Sequence, residues 1–411
     1  MQLFTNIGML CQVNRRGLPF LRGAEAMGNL PVLEDAWLLV NNGRIEAYGR
    51  TAEGLPSAAE EVDVRGGWVF PGWVDSHTHL VFAASREHEF VDRIRGLTYL
   101  EIARKGGGIL NSARRLAEAS EDALLEGARR RLSAICRQGT AALEIKSGYG
   151  LSVEAELKML RVIKKLQAES RVDIRATLLA AHALPERWRS DRRGWLKEVT
   201  EELIPQAASE GLASYIDVFC EKNFFTVEEM IEVIEAARLY GMRPKVHVNQ
   251  FNSLGAVAAS VARGALSVDH LEVVNDEDVA VLAASSTVAT LLPSAPFFLN
   301  DHYPPGRRLI DEGVIVALAS DYNPGSSPSG NMFFVLSLAC IKSKMLPEEA
   351  INAATLNGAA ALEWTEQYGS IDVGKFASFF ITDPMPSVAY LPYAFGSQQL
   401  LQMYVKGERL V

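Results

Sequence analysis

Histidine is scarce in this 411-residue chain, with seven copies, and where those copies fall is its first chemical signal. His77 and His79 close the apolar run 68–75 as an HxH pair. Side chains alternate along a strand, so these two face the same way and can share one metal ion. His182, His247, Asp269-His270 and Ser320-Asp321 fall at or near the ends of other apolar, β-branched runs. Singly, each has a bland explanation: His182 as a core histidine bonded to a carbonyl, Asp321 as the cap of a turn. Their joint placement at strand ends argues for a site. Three neutral imidazoles and one carboxylate, with a position left for water, are the ligands expected of a catalytic zinc, and iron accepts the same donors.

The elements that must bring these residues together follow a regular pattern. Strand candidates lie at 68–75, 140–146, 174–182, 214–221, 244–249, 266–270, 287–292 and 314–321, with helical spacing at 121–137, 153–169, 227–240, 254–263 and 276–284 between them. Strands buried on both faces and separated by helices indicate a parallel sheet with right-handed crossovers. Eight in succession predict a (β/α)8 TIM barrel, an α/β fold in which the carboxyl ends of the strands converge on one mouth.

Residues outside this unit read differently. The pieces 6–10, 36–41, 44–48 and 61–64 are short strand candidates, and Asn41-Asn42-Gly43 is a strong hairpin signal. After a helix at 347–363, strand character returns at 374–381 and 402–409. Neither end carries enough apolar surface to fold alone, so one small β-sandwich assembled from both termini is expected. The boundaries implied are 1–66 with 367–411 for the sandwich and 67–366 for the barrel.

Composition narrows the partners. With 48% hydrophobic and 22% charged residues the chain is that of a globular protein, and a net charge of −9 argues against nucleic acid or an anionic membrane as partner. No apolar run reaches the ~18 residues of a membrane span and no secretory signal opens the chain. Cys11, Cys136, Cys220 and Cys340 form no CxxC pair and read as buried small hydrophobes. A cytoplasmic homodimer with a small-molecule substrate is the expectation.

Pro71-Gly72-Trp73-Val74-Asp75-Ser76-His77-Thr78-His79-Leu80, after a β-rich N-terminal piece, resembles the opening strand of the amidohydrolase superfamily. Phe82-Ala83-Ala84-Ser85-Arg86 followed by Glu89-Phe90, Gly106-Gly107-Gly108-Ile109, Glu144-Ile145-Lys146-Ser147-Gly148-Tyr149-Gly150-Leu151, Ala181-His182-Ala183, Asp217-Val218-Phe219-Cys220-Glu221 and Asp321-Tyr322-Asn323-Pro324-Gly325-Ser326-Ser327-Pro328 narrow the resemblance to the imidazolonepropionase family, over nearly the whole chain. The HxH element is specific only to the superfamily, whereas the elements at 146–151 and 321–328 are close to family-specific.

The resemblance implies His77, His79, His247 and Asp321 as ligands of one metal ion, zinc first and iron second. It implies Arg86, Tyr149 and His182 as substrate contacts, Tyr99 as a further pocket tyrosine, and Asn323, Gly325 and Ser326 as pocket lining. The implied reaction is metal-dependent hydrolysis of the cyclic amide of 4-imidazolone-5-propanoate to N-formimidoyl-L-glutamate, in histidine degradation. A guanidinium matches the propionate, and phenol or imidazole groups suit a flat polar ring. Gln250 stands where a related pattern has glutamate; it can hydrogen-bond the ring but cannot act as a base. Proton transfer is therefore expected of His270 and Asp321.

Other polar clusters have stronger ordinary explanations. Lys146 ends the second strand rather than the fourth, so it is expected to be a structural ion-pair partner and not a bridge between two metals. Asp217 and Glu221 are expected to hold neighbouring loops. The arginine-rich run 187–193 reads as a solvated loop and Arg129-Arg130-Arg131 as surface, and His88 and His302 have no partner motif. Two alternatives to the hydrolase remain at this stage: a deaminase of a cytosine- or guanine-like ring, and a non-catalytic scaffold on the same barrel.

Overall fold

A computed structural model describes residues 1–97, 101 and 105–410. Among these, eight parallel strands stand in chain order, each hydrogen-bonded to the next. The first to eighth barrel strands are Trp73–Asp75, Thr140–Lys146, Asp173–Ala181, Tyr215–Cys220, Arg243–Val248, Ser267–His270, Val288–Leu291 and Val316–Leu318. Their residues are almost all buried, as both faces are covered.

The first and eighth strands meet just beyond their ends. The Asp321 N–H donates to the His77 carbonyl at 3.0 Å and the His79 N–H to the Tyr322 carbonyl at 2.9 Å. Below them the Asp75 carboxylate accepts from the Ser320 N–H at 2.9 Å and from its hydroxyl at 2.5 Å. The seam that joins the last strand to the first is thus made by the segments carrying His77, His79 and Asp321.

The helices start where local chemistry dictates. Ser120 caps Glu121–Cys136, Ser152 caps Val153–Glu169, and Thr226 with Glu229 and Asn275 with Asp278 form capping boxes on Val227–Arg238 and Asp276–Ala283. The helix expected over 347–363 is two, Pro347–Ala354 and Leu356–Ala360, broken at Thr355, whose φ of −117° and ψ of −87° are not helical.

Both termini build the β-sandwich. Its strands run in the order Glu408–Arg409, Leu400–Val405, Phe379–Thr382, Trp68–Pro71, Gln2–Cys11, Val32–Asn41 and Arg44–Arg50, with Glu60–Asp63 also paired to Gln2–Cys11. The sheet curls until the Asn42-Gly43 hairpin meets the C-terminal segment, where the Ile45 N–H donates to the Lys375 carbonyl and the Ala377 N–H to that of Gly43, both at 2.9 Å. Phe4, Phe379 and Tyr404 pack ring against ring inside it. The run 68–75, expected as one barrel strand, is two: Trp68–Pro71 pairs with Gln2–Cys11 and Phe379–Thr382, and only Trp73–Asp75 joins the barrel. Gly72 makes the change of sheet possible, because a Cβ there would sit 2.4 Å from the Ala141 Cβ.

The cysteines are free thiols, three of them buried. Among the described residues no helix is long and apolar enough to cross a membrane.

Behind the first barrel strand packs the helix Leu356–Ala360, at a residue that tolerates no side chain. A Cβ on Gly358 would lie 2.4 Å from the Val74 carbonyl oxygen. Gly358→Ala should push helix and strand apart and lower the unfolding free energy by about 1–3 kcal/mol, the usual cost of overpacking. Urea denaturation of the two proteins checks this.

Candidate active site

Three of the predicted histidines converge at the mouth of the barrel. His77, His79 and His247 are buried and each offers a ring nitrogen within 4.8 Å of the others. His77 Nε2 lies 3.1 Å from His247 Nε2, and Asp321 Oδ1 lies 3.6 Å from the Nε2 atoms of both His77 and His79. Burial, with the neighbouring imidazoles and Lys146, holds all three rings well below the usual histidine range, so they are neutral. Asp321 occupies a left-handed φ of 53° at the turn out of the eighth strand, and burial pushes its carboxyl up to about 7.

The tautomers of two rings are fixed from behind. His77 Nδ1 donates to Asp269 Oδ2 at 2.6 Å, and His247 Nδ1 donates to Asp217 Oδ2 at 2.7 Å. With the protons on Nδ1, the two Nε2 lone pairs point at one another across 3.1 Å. Such an arrangement is repulsive unless a cation sits between the nitrogens. Zn–N bonds of about 2.0–2.1 Å in a tetrahedron put neighbouring donors roughly 3.3 Å apart, so the donor set fits a metal ion. His79 lacks a carboxylate behind it; among the described residues its Nδ1 has no hydrogen-bond partner, and its ring stacks on His182.

Beneath the ligands lies a dry ion network. Lys146 Nζ is 2.8 Å from Asp217 Oδ2, 3.1 Å from Glu144 Oε1 and 3.6 Å from Asp269 Oδ2, with all four side chains fully buried. Burial opposes the ammonium, but these carboxylates outweigh it and hold Lys146 well above the ordinary lysine range. His77, Glu144 and Asp269 also come close enough to hold a metal. There the cation is already supplied by Lys146, in agreement with its expected structural role. Asp217 does more than hold a loop: it accepts the His247 backbone N–H at 3.0 Å as well as the ring proton. Glu221 does hold one, receiving the Phe251 N–H at 2.8 Å and the Asn252 N–H at 3.1 Å just after Gln250.

The other predicted residues surround two connected spaces. His182, Gln250, His270, Asp321, Asn323 and Ser326 line an inner recess of about 60 Å³ beside the ligands. A cavity of about 450 Å³ adjoins it, lined among others by Arg86, Tyr149 and Gly325 and sharing His182, Gln250, Asn323 and Ser326 with the recess. Burial lowers His182 to about 4, and its Nδ1 donates to the Gly148 carbonyl at 3.0 Å, which leaves Nε2 as an acceptor. At His270, burial disfavours the charged ring, but Glu272, Asp321 and Asp269 outweigh it and raise the pKa above the ordinary value. Asn323 spends its side chain on its own loop: Oδ1 accepts the Gly325 and Ser326 N–H groups, and Nδ2 donates to the Asp321 carbonyl. Tyr99 lies outside the described residues. His88 and His302 are exposed, at 93% and 89% of the side chain.

Several further residues support the site from behind. Glu89 Oε2 accepts from Arg86 Nε and Nη2 at 2.9 and 2.5 Å, and its Oε1 accepts the Gly108 N–H at 2.8 Å. Buried Glu156 accepts the N–H groups of Gly148, Gly150 and Leu151 and so shapes the loop bearing Tyr149. Arg131, expected on the surface, is half-buried and donates to the carbonyls of Leu80 and Phe82, tying down the chain between His79 and Arg86. The run 187–193, expected as a solvated loop, instead crosses a 3-10 turn at Glu186–Trp188 and enters the helix Arg192–Glu198, with Arg187 paired to Glu198, Arg192 to Glu229 and Arg193 to Glu232.

Comparison with known proteins agrees with the architecture. The amidohydrolase family model matches residues 68–410. The chain is 49% identical to the imidazolonepropionase of Christiangramia forsetii and 48% identical to that of Flavobacterium johnsoniae, each over 408 residues covering 99% of both chains. In fold it is similar to a zinc-bound adenosine deaminase from Xanthomonas campestris (TM-score 0.72, 18% identity, 99% of this chain and 92% of the other). It is also similar to E. coli guanine deaminase (TM-score 0.74, 15% identity, 99% and 98%).

The ion network separates structural from surface charge. Lys146→Met strands three buried carboxylates and should lower the unfolding free energy by about 3–5 kcal/mol. Arg129→Met, which breaks a solvent-screened pair with Glu169, should leave stability nearly unchanged. Denaturant titration of both variants tests the contrast.

Proposed function

The chain belongs to the amidohydrolase family and, within it, to the imidazolonepropionases, and from that premise we propose that it hydrolyses the cyclic amide of 4-imidazolone-5-propanoate to N-formimidoyl-L-glutamate. The observation that carries this reading is the pairing of two different subsites. A metal-fitting cluster of neutral imidazoles with Asp321 borders a small recess, and an arginine matched to a carboxylate lines the cavity adjoining it.

His77, His79, His247 and Asp321 would hold the metal ion, zinc by preference for three imidazoles and a carboxylate, with iron compatible. When bound, that ion supplies Lewis acidity, which lowers the pKa of water and polarises a carbonyl. Arg86 would bind the propionate. Its Nε and Nη2 are committed to Glu89, which leaves Nη1, beside Gly325, for the ligand. His182 Nε2 and the Tyr149 hydroxyl would hydrogen-bond the ring, with Gln250 beside them. Water adds to the ring carbonyl, the carbon–nitrogen bond breaks, and one proton of the water ends on the departing nitrogen. His270 and Asp321 are the groups placed to carry it.

Protein purified without chelators should open the ring with no release of ammonia and should contain one metal ion per chain. Activity should vanish on chelation and return with Zn²⁺. Ammonia among the products would instead point to a deaminase. Arg86→Ala removes a charge-assisted contact of about 1.5–3 kcal/mol and should raise KM about 10- to 150-fold with kcat nearly unchanged. Asp321→Ala should abolish both turnover and metal retention. Gly325→Ala, whose Cβ would fall 2.4 Å from Arg86 Nη1, should raise KM in the same sense as Arg86→Ala.

A further inference from the structure

The sixth barrel strand ends on a backbone that few sequences adopt. His270 has φ of 89° and Leu271 φ of 63°, two successive non-glycine residues in the left-handed region, a conformation that side chains with a Cβ adopt only at a cost. In an extended chain the side chain of residue 272 would lie about 6–7 Å beyond that of 270. The left-handed pair folds the chain back instead, and Glu272 Oε1 accepts from His270 Nδ1 at 3.2 Å. Hydrogen bonds from the Leu271 N–H to the Val248 carbonyl at 3.3 Å and from the Val273 N–H to that of Asn249 at 3.0 Å hold the turn against the fifth strand.

Glu272 is costly where it stands. Its side chain is 4% exposed, and among the described residues its Oε2 has no hydrogen-bond partner. Packing does not account for a carboxylate with an unused oxygen in a dry site. Holding the metal cluster does not account for it either, because His77 and His247 have their own carboxylates in Asp269 and Asp217. What Glu272 does is keep the His270 proton on Nδ1, so that Nε2 is the nitrogen left for the recess that His270 lines.

We propose that Glu272 is a positioning residue for proton transfer: it fixes the orientation and tautomer of His270 and stabilises the imidazolium that forms during turnover. This rests on the hydrolytic reading of the site. Nε2 accepts one proton of the attacking water as the carbon–oxygen bond forms and returns it to the ring nitrogen as the carbon–nitrogen bond breaks. Glu272 stays ionised and takes no proton. Gln250, the polar neighbour in the recess, has no proton to exchange in this way, which leaves His270 and Asp321 to carry the transfer.

Kinetics of Glu272→Gln, His270→Asn and the double variant test the proposal. Glu272→Gln should lower kcat about 10- to 100-fold, less than the loss of an acid–base group, with KM within about twofold and metal content unchanged. In the His270→Asn background the same change should alter kcat by less than about twofold, because its partner is gone. An equal effect in both backgrounds, a loss below about threefold, or a joint fall of kcat and metal content would overturn it. Nitrogen-15 spectra of histidine-labelled protein give a readout independent of turnover. The wild type should show His270 protonated at Nδ1 alone and Glu272→Leu a mixture of tautomers; identical spectra would refute the positioning role. Failure of the wild type to hydrolyse imidazolonepropionate would sink the functional reading instead, and the spectra would still decide this one.

Discussion

Two imidazole nitrogens with lone pairs facing across 3.1 Å are the constraint on which the rest of the site depends. No folded chain keeps them there without a cost, and here the compensation comes from behind the rings. Asp269 and Asp217 each use one oxygen both for a histidine Nδ1 and for Lys146 Nζ. A single ammonium therefore orients two imidazoles through two carboxylates. The ε-amine can serve both because strands two, four and six contribute Lys146, Asp217 and Asp269 to the barrel interior, where alternate strands share a layer. In that dry environment the charges are either all present or all very costly, which explains why Glu144 and Lys245 extend the same network rather than ending in solvent.

The sandwich matters to the site through one short piece of chain. Trp68–Pro71 is a strand of the sandwich, and Trp73–Asp75 is the first strand of the barrel. Their junction at Gly72 is held by its N–H donating to the Ser378 carbonyl at 3.0 Å. The pair His77 and His79 thus hangs between a barrel strand of three residues and the seam to the eighth strand. So short a strand would fray alone. Asp75 on Ser320, Gly358 against Val74 and Arg131 on the carbonyls of Leu80 and Phe82 close it in from three directions. Chain ends far from the histidine cluster in sequence therefore hold its residues in place.

The sequence shows some of this plainly and hides the rest for physical reasons. Strand ends were legible because apolar runs stop where polar residues begin, and His77, His182, His247, His270 and Asp321 sit at those stops. Helix starts were legible from caps such as Thr226 with Glu229. The split of 68–75 was not, since a run that changes sheets at one glycine has the same apolar pattern as a run that does not. Glu156 and Glu272 were invisible as supports for a different reason. A glutamate on a helix or after a strand has no periodicity to betray that it faces inward. Arg131 misled because a run of three arginines reads as surface, whereas only a long side chain could reach from its helix to the loop carbonyls.

The separation of the recess from the cavity argues for a division of labour in recognition. About 60 Å³ beside the ligands has room for a few waters or one edge of a small ring, and not for a ring with its tail. A ligand with a flat polar head and a short anionic tail fills the two spaces in one orientation, with the tail towards Arg86. Polar character in the recess is uncharged at its rim: His182 is neutral, Tyr149 is held above its ordinary range by burial, and Gln250 carries no charge. Arg86 and Arg93 are the cations that line the cavity, and Glu89 fixes the orientation of Arg86 before any ligand arrives. Binding energy from the tail is then available to seat the head beside the reacting groups at low substrate concentration, so a contact this remote from the scissile bond acts on KM and kcat/KM and leaves kcat nearly unchanged.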